Sequence, residues 1–169
     1  MRMQVGDKVE DFELQNQDGE TVHLSDYKSA PVVLFFYPRA DTPGCTIESC
    51  GFRDAFTQFK KAGITVLGIS RDTVKAQKKF QEKYDLPYDL LADPEMVLIK
   101  RYGLLQNKTM YGKPVTGVAR TTYVISPDTG KGQRLLHVFE QVTPKGHAEE
   151  VFALLKENGW TGAKSGAKN

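Results

Sequence analysis

The chain has 169 residues, 40% of them hydrophobic and 26% charged, which suits one domain with a sizeable core. Its 23 basic and 21 acidic residues are interspersed and leave a net charge of +2, with no basic stripe carrying aromatics, so nucleic acid is excluded as an expected partner. The longest apolar run, Val32 to Tyr37, is too short to cross a membrane, and the first residues lack the apolar stretch of a secretory signal, so a cytoplasmic protein is expected.

The Asp18-Gly19 turn signal ahead of VHLSDY predicts an N-terminal hairpin. PVVLFFYP, a continuous apolar run between prolines, reads as a strand buried on both faces. A helix is expected from Pro43 to about Lys61. Thr42 suits the N-cap and Pro43 the first helical position, while Phe52, Ala55, Phe56 and Phe59 recur at helical spacing and Gly63 is a fitting stop. ITVLGIS is a second buried strand, and DTVKAQKKFQEKYD an exposed, charge-laced helix with Asp72 near its start. DPEMVLIKRYG reads as a shorter helix ending at Gly103, and residues 105–117, polar and glycine-containing, as a loop. RTTYVISPDTGKGQRLLHVFE gives strand, turn and strand. GHAEEVFALLKENGW closes the domain as an amphipathic helix that turns Val151, Phe152, Leu154 and Leu155 inward. Parallel strands joined by helices, then an antiparallel pair and a helix, make an α/β sandwich over residues 1–160, with 161–169 a disordered tail.

Both cysteines lie in FYPRADTPGCTIESCGFRD, five residues apart, which is not the Cys-x-x-Cys interval of a redox pair. In a reducing compartment two cysteines do not form a structural disulfide framework. A zinc site needs about four ligands, and His23, His137 and His147 show no ligand spacing, so no metal is expected. The histidines read as surface or capping residues, and Arg53, Arg71 and Arg101 as solvated or structural, with Arg53 the exception to watch. Cys45 falls in the first turn of the predicted helix, where unpaired N–H groups and the positive dipole end favour a thiolate. Gly44 allows close backbone approach, Pro38 and Pro43 shield the sulfur from bulk water, and Tyr37 is either packing or pocket lining.

YPRADTPGCTIESCGFRD resembles the active-site segment of peroxiredoxins, with Pro38, Thr42 and Cys45 at the family's Pro-x-x-x-Thr-x-x-Cys positions. The second cysteine, together with GISRD, KFQEKY, LLADP, MYGKPVTGVARTTYVIS and GHAEEV, is similar to the peroxiredoxin Q (bacterioferritin comigratory protein) subfamily over most of the chain. The resemblance implies a thioredoxin-like fold, a central mixed sheet flanked by helices, and reduction of hydroperoxides without metal or organic cofactor. It makes Cys45 the peroxidatic nucleophile and Cys50 the resolving thiol of an intrachain disulfide, recycled by thioredoxin or a similar dithiol protein. Thr42 would bond the peroxide, Pro38 and Gly44 would shape the pocket, Arg120 in GVARTTYVIS would pair with the thiolate, and Glu48 would orient the arginine. The subfamily also suggests a monomer. Two rivals are a thioredoxin-type reductase, which would want Cys-x-x-Cys and a proline in place of Arg120, and a holdase with incidental cysteines. Thioredoxin-coupled peroxide consumption that depends on Cys45 separates them.

Helix geometry adds one expectation. Residues five apart on a regular helix have Cα atoms about 8.6 Å apart, beyond the roughly 7 Å that a disulfide tolerates. The segment over about residues 43–52 is therefore expected to be helical when reduced and unwound when Cys45 and Cys50 are bonded.

Overall fold

The computed structural model describes residues 2–160; the tail expected over 161–169 lies outside them. The strands β1 (Glu13–Gln15) and β2 (Thr21–His23) pair antiparallel as the expected N-terminal hairpin. There follow β3 (Val32–Phe36), α1 (Pro43–Lys61), β4 (Thr65–Ser70), α2 (Val74–Tyr84), β5 (Leu90–Ala92), α3 (Val97–Arg101), β6 (Leu105–Met110), β7 (Lys113–Val118), β8 (Thr121–Ile125), β9 (Leu135–Phe139) and α4 (His147–Glu157). Seven strands form one mixed sheet in the order β2-β1-β5-β4-β3-β8-β9. Its centre is parallel, β3 with β4 and β4 with β5, while β8 pairs antiparallel with β3, β9 with β8 and β1 with β5.

The apolar run of β3 divides by the strand's two-residue period. Val32, Leu34 and Phe36 join a core layer with Leu98, Ile99 and Tyr102, whereas Val33, Phe35 and Tyr37 pack beneath Phe52, Phe59, Phe80, Val151 and Leu155. The second layer seats α1, α2 and α4 on the same face. Phe52 and Phe59 are fully buried, each contributing about 1.5–3 kcal/mol, and they anchor the middle of α1 to the sheet. Leu154 and Phe152 of α4 are only half-buried, with Val151 and Leu155 fully inward.

Two expectations change. Residues 105–117 are not a loop: β6 and β7 form a separate antiparallel ribbon turned at Tyr111 and Gly112, both with positive φ (53° and 78°). Positive φ at both central residues is the geometry of a tight hairpin turn. The strands escaped notice because β7 is exposed from Lys113 to Thr116, so the sequence shows no inside–outside alternation there. The helix expected over DPEMVLIKRYG is limited to Val97–Arg101. Asp93 instead accepts the N–H groups of Val97, Leu98 and Ile99, and Met96 takes a left-handed conformation. No helix among the described residues is long and apolar enough to cross a membrane.

Candidate active site

The segment from Pro38 to Thr42 links the end of β3 to the start of α1 and is held from the α2 side. The Tyr37 hydroxyl donates to Gln77 Oε1 at 2.6 Å, and the Ala40 N–H to Asp72 Oδ2 at 2.7 Å. Asp41 adopts a left-handed conformation (φ 60°) and accepts from Lys83 Nζ at 2.9 Å and from the Tyr84 hydroxyl at 3.0 Å. Aspartate tolerates that region better than most residues, and the bend it permits sets the entry to α1. Pro38 is half-buried within this link.

Thr42 occupies the N-cap position in extended conformation, as expected, but its side chain does not cap the helix. The hydroxyl donates back to the Arg39 carbonyl at 2.8 Å. The first bond of α1 runs from the Thr46 N–H to the Thr42 carbonyl at 2.8 Å, so the N–H groups of Gly44 and Cys45 have no partner inside the helix. Cys45 is 1% exposed and carries a free thiol.

Arg120, between β7 and β8, reaches this helix end. Its Nη2 lies 3.5 Å from Cys45 Sγ and its Nη1 donates to Glu48 Oε1 at 2.7 Å. Half-burial works against its charge, yet Cys45 and Glu48 together hold the guanidinium above its ordinary value. It stays cationic. Gly44 makes the approach possible, because a Cβ there would stand 3.0 Å from Nη2 and 3.4 Å from Pro144 Cγ. Glu48 is buried, and burial pushes its carboxyl up from 4.5 to about 7 against the pull of Arg120. Its Oε2 has no hydrogen-bond partner.

Cys50 is half-buried on the same unbroken helix, also as a free thiol. Burial raises its pKa while Arg53 draws it down. The turns around it are tied to the far side of the layer: the Tyr88 hydroxyl donates to the Ser49 carbonyl at 2.6 Å, and Arg53 Nη1 to the Tyr84 carbonyl at 2.9 Å. Arg53 is thus structural. Tyr37 is fully buried, a packing residue.

Cys45, Glu48, Arg120 and Gly44 are therefore brought together, Thr42 stands at the start of the same helix, Pro38 lies in the link before it, and Cys50 stands off along the helix. One sequence reading is corrected: His147 is not a surface residue. It is 1% exposed, bonded through Nε2 to Thr122 Oγ1 at 2.7 Å and through Nδ1 to Glu150 Oε1 at 2.9 Å, with Glu48 Oε2 4.0 Å from Nε2. The signal was available, since His147, Val151 and Leu155 recur every four residues and all three are buried. Asp41 and Thr122 carried no comparable signal, because loop backbone conformation and side-chain partners across the sheet are not written in local spacing. A buried thiol beside a fixed cation and open helix N–H groups can hold a sulfur anion and stabilise charge developing on a small ligand.

The model of the AhpC/TSA family matches residues 5–131. The chain is 43% identical to a Bcp-type peroxiredoxin of Coxiella burnetii over 92% of its own length and 100% of the other. It is 39% identical to peroxiredoxin Bcp of Bacillus subtilis, over 93% and 98%. Among solved structures, a Cys-to-Ser mutant of Xylella fastidiosa PrxQ superposes with a TM-score of 0.87 at 34% identity, covering 94% of this chain and 99% of that one. A structure from a study of alkyl peroxide reduction by the Xanthomonas campestris bacterioferritin comigratory protein gives 0.79 at 33% identity, over 87% and 91%.

Proposed function

Since the chain belongs to the AhpC/TSA family, among its Bcp (peroxiredoxin Q) peroxiredoxins, we propose that its thiol peroxidase chemistry is carried by Cys45, Arg120, Thr42 and Cys50 in the following way. The protein is a peroxiredoxin that reduces peroxides with electrons from a thiol reductant. The observation that carries the residue assignment is the Arg120 guanidinium joining Cys45 Sγ to Glu48 at the uncapped end of α1.

The Cys45 thiolate attacks the terminal oxygen of a hydroperoxide. An S–O bond forms, the O–O bond breaks, and its electron pair leaves on the distal oxygen, which takes up a proton to depart as alcohol or water. Arg120 and the open N–H groups of α1 lie where the negative charge develops. Thr42 turns its hydroxyl from the Arg39 carbonyl to the peroxide, Gly44 leaves space for the guanidinium, and Pro38 keeps bulk water from the sulfur. The sulfur, oxidised by two electrons, becomes a sulfenic acid. Cys50 then attacks it, an S–S bond forms and water is released. α1 must unwind over about residues 43–52 for that step, which breaks the Tyr88 hydroxyl bond to Ser49. A dithiol protein, thioredoxin or one like it, returns two electrons. The same reading takes residues 1–160 as one catalytic domain, a monomer working in the cytoplasm.

The test is peroxide consumption coupled to thioredoxin and its reductase. Cys45→Ser should abolish it. Cys50→Ser should consume one equivalent of peroxide and stop with Cys45 as sulfenic acid, detected by mass spectrometry. Continued turnover in Cys45→Ser would sink the assignment.

A further inference from the structure

Behind Arg120 sits a buried ionisable group that the reaction above leaves unused. The ring of His147 is wedged between Phe52 and Phe139, centroids 5.7 and 5.2 Å away and both edge-on. Glu150, exposed on α4, can only accept from Nδ1 at 2.9 Å, which places a proton there. Nε2 is then the ring atom whose proton is in question. Thr122 Oγ1, 2.7 Å away, suits either state, donating to a bare Nε2 or accepting from Nε2–H. On the other side stands Glu48 Oε2, buried, unpartnered and 4.0 Å distant.

With neither group protonated at these atoms, the Nε2 lone pair is met by the Thr122 hydroxyl, while Glu48 Oε2 is a buried carboxylate oxygen with no donor. A proton added at Nε2 sets an imidazolium 4.0 Å from the carboxylate, and a proton added at Oε2 removes the carboxylate charge. We propose that Glu48 and His147 titrate as a coupled pair that holds one proton, making His147 the positioning residue of the Glu48–Arg120 arm, and that loss of this proton sets Arg120 against a full carboxylate and weakens its hold on the Cys45 thiolate.

The proposal rests on the roles given above to Cys45 and Arg120. The groups facing the pair are Cys45 and the Tyr88-bonded Ser49 turn on α1, Arg120 and Thr122 at β8, Glu150 on α4, and His137, which packs on the edge of Phe139 from β9. Among these only Arg120 and Glu150 bring charge to bear on His147. Burial, aided by Arg120, lowers His147 while Glu150 raises it, and burial raises Glu48 against Arg120. At 4.0 Å the ionisation of one bears directly on that of the other, the condition under which neighbouring sites titrate as a unit.

The experiment is a pH titration of the reduced full-length protein, following the His147 ring nitrogens by NMR in the native chain and in the isosteric Glu48→Gln. If the two are coupled, Glu48→Gln lowers the His147 midpoint by about one pH unit or more. The companion measurement is the pH profile of the peroxide oxidation rate. In the native chain the rate should fall, by up to about tenfold for a one-unit change in thiol affinity for its proton, as the pair loses its proton. His147→Phe should displace that limb, and His147→Gln, which can still donate to Glu48, should recover the rate without the inflection. An unchanged His147 midpoint in Glu48→Gln overturns the proposal while leaving the roles of Cys45 and Arg120 standing. A shifted midpoint with an unshifted rate limb in His147→Phe overturns its reach to Cys45.

Discussion

Helices α1 and α2 both start after a threonine in extended conformation, Thr42 (φ −99°, ψ 158°) and Thr73 (φ −74°, ψ 166°), and both bury polar side chains, Glu48 and Ser49 in α1 and Gln77 in α2. In α2 these groups close on themselves. Thr73 Oγ1 accepts the Ala76 N–H at 3.2 Å, and Gln77 is satisfied at both ends, by the Leu91 carbonyl at 2.8 Å and the Tyr37 hydroxyl at 2.6 Å. In α1 the corresponding groups are left open. The Thr42 hydroxyl points away from the helix, and Glu48 has one oxygen on Arg120 and the other without a partner. On the function proposed above, a helix end that receives an anion keeps its donors off its own cap. The stability it forgoes comes from elsewhere: from Phe52 and Phe59 in the core, and from the Tyr88 and Arg53 ties beyond the first turn. The first turn of α1 thus keeps its donors open, and the turns that follow it are tied to the core.

The strongest test of this contrast is removal of what the open end of α1 engages. Arg120→Ala deletes a charge-assisted contact worth about 1.5–3 kcal/mol, so the peroxide step should slow by about 10- to 150-fold. Stopped-flow oxidation, measured apart from recycling, reads it directly. An unaltered rate would mean that the open donors of α1 serve the peroxide without the arginine.

The next test concerns the buried polar groups. Glu48 binds its proton more tightly folded than unfolded, its carboxyl moving from 4.5 to about 7 by burial. Between those values the folded state holds the extra proton, so stability should decline as pH rises and the loss should be complete above about pH 7. Glu48→Gln makes α1 resemble α2, whose Gln77 carries no proton to exchange. Urea midpoints across this window should fall with pH in the native chain and stay flatter in Glu48→Gln. Parallel curves would place the ionisation elsewhere.

What could be read from the sequence follows the same division. The sheet centre and α1 were legible because β3 is a continuous buried run and Phe52, Ala55 and Phe59 keep a helical period. The place of Cys45 in the first turn of α1 was legible from Thr42 and Pro43 at the helix start, but the pairing of Arg120 with Cys45 came through resemblance, since nothing local joins residues 75 apart in the chain. The β6–β7 ribbon was missed because its exposed strand has no core side to set an alternation, and its Tyr111-Gly112 turn lacks the usual Asn or Asp. The direction of the Thr42 hydroxyl could not be read either. The same residue type at the same helix position takes opposite partners in α1 and α2, and only the neighbouring loop decides which.

That last point gives the smallest expected effect and the sharpest contrast. Thr73→Ala removes a hydroxyl that caps its helix, and should cost about 1 kcal/mol of stability with no change in the peroxide step, because Thr73 lies outside the site. Thr42→Val removes a hydroxyl that caps nothing, its bond being to the Arg39 carbonyl in the preceding link. It should lower stability less than Thr73→Ala and slow the peroxide step, while Thr42→Ser, which keeps the hydroxyl, should retain most of the rate. Denaturant midpoints and single-turnover oxidation on the three variants separate the two roles. If Thr42→Val lost as much stability as Thr73→Ala and kept its rate, the threonine of α1 would be an ordinary cap, and the difference between the two helix ends would have to rest on Gly44, Glu48 and Arg120 alone.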